Sequence, residues 1–92
     1  MRILLTGLSH KTASINVREK VSLTNDVLPR ALKIFSNYTL QGVIVATCNR
    51  TEIYSVATNA GHGIKAHRDF LQQFFEIEID NFKQNLYVLE QE

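Results

Sequence analysis

Gly42-Val43-Ile44-Val45-Ala46-Thr47-Cys48-Asn49-Arg50-Thr51-Glu52-Ile53-Tyr54-Ser55-Val56-Ala57 is the stretch that decides the fold of this 92-residue chain. Val43 to Ala46 read as one buried strand. Ile53 to Ala57 read as another, with Ile53, Ser55 and Ala57 on one face and Tyr54 and Val56 on the other, because side chains alternate along a strand. Only the six residues 47–52 separate them. A gap that short closes an antiparallel hairpin, whereas a parallel crossover needs about a dozen residues. Thr47-Cys48-Asn49-Arg50 is therefore expected at or beside a hairpin tip.

Upstream, residues 2–8 read as a strand, and the continuous apolar run Ile3 to Leu5 suits a central position buried on both faces. Gly7 and Ser9-His10-Lys11-Thr12 end it. A short helical turn is expected around Ile15 to Val21. Thr24 or Asn25 can cap a following helix whose apolar stripe is Val27 or Leu28, Ala31, Leu32 and Phe35, with Pro29 fitting only near its first turn. Downstream of the hairpin, Asn59-Ala60-Gly61 breaks the chain. Ile64, His67, Leu71 and Phe74 or Phe75 then recur at helical spacing through residues 62–75. A loose segment, 76–81, leads to a last strand at Leu86 to Leu89. The order β-α-β-β-α-β predicts an α+β, ferredoxin-like fold: a four-stranded antiparallel sheet with two helices on one face. Such a fold assigns no function by itself.

Composition sets the class. With 45% apolar and 21% charged residues, four glycines and no repeat, disordered and fibrous classes are excluded. The first apolar run is too short for a signal peptide or a membrane span, so a cytoplasmic protein without membrane association is expected. One cysteine permits no intrachain disulfide, and histidines at 10, 62 and 67 lack metal-ligand spacing, so no metal is expected. The net charge of +1 hides an asymmetry, because Arg2, Lys11, Arg18, Lys20, Arg30 and Lys33 all fall within residues 1–33. Such cations either meet RNA phosphates or simply coat a solvated surface. No element follows the last strand to cover it, and a fragment of a longer protein is expected.

Within the hairpin, Cys48 is either a small inert filler or a nucleophile. Arg50 has alternative uses: its charge would favour the nucleophilic form of a nearby sulfur, its planar fork could grip a substrate carboxylate, or Glu52 could neutralise it in an ion pair. His10 lies where it could serve a bound substrate, or be an exposed loop histidine. His67 sits on a helix stripe and reads as packed and hydrogen-bonded, and His62 as solvated. Gly61-His62-Gly63-Ile64-Lys65-Ala66 satisfies a dinucleotide-binding pattern with Asp80 about 20 residues on. Asn59 and Ala60 intervene after the strand, however, and the hairpin before it is no doubly wound sheet, so the glycines read as a plain strand-to-helix break.

Gly7-Leu8-Ser9-His10-Lys11-Thr12-Ala13, Val17-Arg18-Glu19 and Ala46-Thr47-Cys48-Asn49-Arg50-Thr51-Glu52-Ile53-Tyr54 together resemble, in order and spacing, the signatures of glutamyl-tRNA reductases. Ser14 departs from a usual proline and Ala46 from a common serine. The resemblance implies that residues 1–92 are the N-terminal part of a catalytic, glutamyl-tRNA-binding domain, with NADPH-binding and dimerisation domains outside this chain. It implies NADPH-dependent reduction of glutamyl-tRNA(Glu) to glutamate-1-semialdehyde through a cysteine thioester, the first step of five-carbon tetrapyrrole (porphyrin, heme) synthesis, by a homodimer. Cys48 would then be the nucleophile, Thr47, Asn49 and Arg50 the glutamate pocket, and His10 a neighbour of the site. The alternative is a fragment that only binds charged tRNA or accepts its acyl group. A stand-alone RNA-binding domain fits poorly, since the paired exposed aromatics that stack bases are missing.

Overall fold

Alternation along β1 (Arg2–Ser9) turns Leu4, Thr6 and Leu8 to one side of a sheet and Ile3, Leu5 and Gly7 to the other. The computed structural model describes residues 1–91. After β1 come α1 (Ile15–Glu19), α2 (Leu28–Phe35), β2 (Gly42–Ala46), β3 (Arg50–Ala57), α3 (Ala60–Phe75), a 3-10 helix (Ile79–Asn85) and β4 (Tyr87–Gln91). The strands lie in the order β2-β3-β1-β4, and every neighbouring pair is antiparallel. This is the ferredoxin-like α+β architecture. Its two longer helices pack on one face, where Ala31 and Phe35 of α2 meet Phe70 and Leu71 of α3 over Ile53. The Phe35 and Phe70 rings sit 4.8 Å apart, centroid to centroid, in a tilted pair. Leu8, Ala13 and Val21 form a smaller cluster with Val17 of α1 packed on it, which docks α1 beside the end of the sheet.

Four expectations need correction. β1 is central, but its face away from the helices is only partly covered: Leu4 on the helix face is fully buried, whereas Ile3 on the other is 51% exposed. β2, expected as a buried strand, is an edge with Val43 58% exposed, so a run of apolar residues did not mean two covered faces. The second helix is not capped by Thr24 or Asn25. The Thr24 carbonyl closes a turn by accepting the amides of Val27 and Leu28, its hydroxyl donates to Asp26, and α2 begins at Leu28 with Val27 as an N-cap that makes no side-chain bond. Pro29 stands in the first helical turn, as its missing amide requires. The segment after α3, read as loose, is wound from Ile79 into the 3-10 helix, and Ile79 itself joins the core.

α3 starts where its cap dictates. The Asn59 side chain accepts the His62 amide at 3.0 Å. One turn in, Gly63 is pressed against the sheet: a Cβ there would lie 2.2 Å from Leu4 Cδ1 and 2.9 Å from Ala57 Cβ. The glycine is thus explained by helix-to-sheet contact. Two turns in, His67 is fully buried, with Nδ1 2.8 Å from Thr6 Oγ1 and Nε2 2.6 Å from Ser55 Oγ. A neutral imidazole satisfies both contacts by donating from one nitrogen and accepting at the other while the hydroxyls rotate to match. Burial pushes its pKa down to about 4.

Gly63→Ala is expected to destabilise the domain by about 1–3 kcal/mol through overpacking, read from denaturant midpoints, and an unchanged midpoint would show that α3 can lift freely from the sheet. The depressed histidine predicts a pH effect of fixed sign. Between pH about 6.5 and about 4 the unfolded imidazole binds a proton that the folded one refuses, so the stability it contributes is present above that window and lost as pH falls through it. The loss should be on the order of 3 kcal/mol. His67→Gln should flatten the stability profile over this window relative to wild type, and parallel profiles would remove His67 as the cause.

Candidate active site at the turn between β2 and β3

Residues 47–49 link β2 to β3, and the turn is built by Thr47. Its amide donates to the Arg50 carbonyl at 2.8 Å, and its hydroxyl accepts the amides of Asn49 and Arg50, both at 3.2 Å. A side chain that captures the backbone two and three residues on fixes a tight turn without glycine. Two further elements hold it in place. The His10 amide, at the end of β1, donates to the Asn49 carbonyl at 2.8 Å. Arg18 of α1 donates through Nη1 to the Cys48 carbonyl at 3.0 Å and reaches Asn49 Oδ1 at 3.5 Å. Thr51 then donates to the Val21 carbonyl at 3.1 Å, tying the segment after α1 to β3.

A cleft of about 240 Å³ results, with Ile15, Arg18, Thr47, Cys48 and Arg50 among its walls. Cys48 is a free and exposed thiol. It is therefore not a filler buried in the core. Of the residues expected at the site, Cys48, Thr47 and Arg50 line this cleft. Asn49 adjoins it and spends its side-chain oxygen on Arg18. His10 contributes its backbone to the turn, while its side chain is exposed and outside the cleft walls. Arg18 is the residue the sequence reading passed over. Its motif, Val17-Arg18-Glu19, was visible, but nothing in the spacing revealed that α1 would fold back onto residue 48, 30 positions away. The Arg18 Nε is buried without a hydrogen-bond partner, so the guanidinium holds an unused donor beside the cleft.

Arg50 begins β3, three residues earlier than the strand expected from Ile53. Its side chain is half exposed, and Nη1 stands 3.7 Å from Oε1 of Glu52. That separation is an ion pair without a close hydrogen bond, and it leaves the fork available. Glu52 is bound more tightly elsewhere: Tyr54 donates to its Oε1 at 2.9 Å and Tyr87 to its Oε2 at 2.6 Å. The hydrogen bond to Glu52 raises the Tyr54 pKa, and burial followed by the same carboxylate pushes Tyr87 up to about 12. Both phenols therefore remain donors at neutral pH.

The dinucleotide pattern at Gly61 to Ala66 does not make a cofactor site. The Asn59 side chain already takes the His62 amide and its carbonyl the Gly63 amide, Gly63 faces the sheet, and Asp80 is engaged by Arg68 at 2.6 Å and Lys83 at 3.7 Å. These residues do not fit a bound NADPH. Among the described residues no three His, Cys, Asp or Glu side chains gather as metal ligands, and no helix is long and apolar enough to cross a membrane.

Fold and site together define a ferredoxin-like domain that presents an exposed thiol beside an arginine, on a turn braced from two sides. The family model described as "Glutamyl-tRNAGlu reductase, N-terminal domain" matches residues 6–92, and the chain belongs to that family. It is 43% identical over 94 residues to the glutamyl-tRNA reductase of Brevibacillus brevis, with all of this chain covered. It is 39% identical to that of Prochlorococcus marinus over 99% of the chain, and 41% identical to that of Acaryochloris marina over 97%. In each case the match takes up 21% of the relative, so the chain spans about a fifth of the length of the curated relatives it matches.

Proposed function

We propose that the protein carrying this chain is an NADPH-dependent glutamyl-tRNA reductase and that Cys48 is its acyl acceptor. The observation that carries the reading is the exposed thiol in a cleft it shares with Arg50, within a domain of this family. In the acyl-transfer half, the Cys48 sulfur attacks the ester carbonyl joining glutamate to the terminal ribose of its tRNA. A C–S bond forms, the ester C–O bond breaks, and the ribose oxygen leaves with a proton. The glutamyl group is then held as a thioester, which divides a difficult reduction into two easier steps.

Arg50 suits the γ-carboxylate of the glutamyl group, because a planar fork with donors to spare matches two carboxylate oxygens. Thr47 and Arg18 keep Cys48 at the cleft mouth, and Asn49 is oriented by Arg18. His10 serves as a brace of the turn through its backbone. NADPH enters the reading as the reductant that yields glutamate-1-semialdehyde, bound by parts of the longer protein, since the residues here do not fit it. Assembly as a homodimer and a place in the cytoplasm, at the first step of five-carbon tetrapyrrole synthesis, belong to the same proposal. The misfit of NADPH favours one narrower reading of the segment alone: it accepts the acyl group and goes no further.

In the full-length protein, Cys48→Ser is expected to lower glutamate-1-semialdehyde formation by at least about a thousandfold, and near-normal turnover would sink the nucleophile assignment. Incubating residues 1–92 with labelled glutamyl-tRNA tests the narrower reading, whose signature is label retained covalently at Cys48. For Arg50→Gln, the preference for glutamyl- over glutaminyl-tRNA should fall by about tenfold to a hundredfold. Unchanged discrimination would end the carboxylate-reading role.

A further inference from the structure

Glu52 is a buried carboxylate on the sheet face opposite the helices, a face otherwise made largely of apolar side chains such as Ile3, Leu5, Val45 and Leu89. A carboxylate there is costly unless its oxygens are satisfied, and packing alone would be served equally well by an apolar residue. What satisfies it is unusual in reach. Tyr54 is two residues along the same strand, but Tyr87 comes from β4, on the far side of β1. Strands two apart in a sheet have backbones separated by about 9.6 Å, and a side chain on the strand between would normally block the path. Here that strand supplies Gly7, which is in register with Glu52 on one side and Tyr87 on the other. A Cβ on Gly7 would lie 2.8 Å from Glu52 Cγ. The glycine is the gap through which phenol and carboxylate meet.

The cation beside this network is Arg50, on the same face one alternation up β3, with Nη1 3.7 Å from Glu52 Oε1. Left alone, a guanidinium and a carboxylate at neighbouring same-face positions would close into a bidentate pair, and such a pair would consume the donors a substrate needs. The two phenols already hold one carboxylate oxygen each. Resting on the reading of Arg50 as the substrate-carboxylate reader, we propose that Tyr87 and Tyr54 are positioning residues that, through the gap at Gly7, keep Glu52 from capturing Arg50 while its charge still aims the guanidinium at the cleft. Neither tyrosine touches the substrate. Both act through Arg50, and Tyr87 makes β4 a part of the specificity apparatus.

Tyr87→Phe in the full-length protein removes one hydroxyl and keeps the ring. It should lower the preference for glutamyl- over glutaminyl-tRNA about three- to tenfold, through KM, with kcat within about twofold of wild type. In an Arg50→Gln background the same change should have no effect on preference, because the residue through which it acts is gone. Tyr54→Phe should behave alike and stands in if Tyr87→Phe does not fold. An equal effect of the hydroxyl in both backgrounds, or no effect in either, would overturn the proposal while leaving the acyl-acceptor reading intact. A wild-type protein that is not acylated by glutamyl-tRNA would instead overturn that reading, and this inference with it.

Discussion

The register of β1 against its two neighbours is the constraint on which the rest of the molecule depends. Thr6 stands opposite Ile53 and Val88, Gly7 opposite Glu52 and Tyr87, and Ser9 opposite Arg50. A slip of one residue would turn Leu4, Thr6 and Leu8 away from the helices, because strand side chains alternate with a period of two. The core would lose its floor, His67 would lose Thr6, and the gap at Gly7 would no longer face Glu52. The hydrophobic face and the polar networks specify the same alignment, and that agreement makes it unique.

Polar groups are distributed by that alignment into two separate systems. On the helix face, His67 is sealed between two hydroxyls and kept neutral by burial, a structural pin between α3 and the two central strands. At the end of the sheet the arginines are kept in reach of solvent, beside a carboxylate buried on the opposite face. Arg18 braces the Cys48 turn and Arg50 lines the cleft, while Glu52 is held back by phenols. The thiol and the two arginines thereby gather where β1 ends and β3 begins. The rigid sheet positions a short loop, which is a common arrangement for sites that must be both precise and accessible.

Much of the fold was legible in the residues because short-range rules governed it. The six residues between the hairpin strands left no room for a crossover, and the helical spacing of Ile64, His67 and Leu71 marked α3. The same logic failed where local preference met tertiary context. Thr24 is a good cap by type, yet its hydroxyl bonds Asp26 and the helix waits until Leu28. Val43 is apolar, yet lies on an edge strand that nothing in its local sequence distinguishes from a central one. At the site, Cys48 and Arg50 stand out as a thiol and a cation two positions apart in a polar hairpin segment, and both line one cleft.

The sequence by itself determined the order of elements, the hairpin, and the polar segment carrying the thiol, since each is set by patterns within about a dozen residues. Family membership followed from motifs of the same length. Tertiary structure alone decided what surrounds Cys48: Arg18 arriving from α1, the exposure of the thiol, and the cleft between them. It also decided the fate of Glu52, whose partner at position 87 is 35 residues distant. Contacts across strands depend on sheet order and register, which no single segment encodes. The opening Cys48 turn is therefore readable as a candidate from its residues, but its bracing, and the network around its arginine, exist only in the folded sheet.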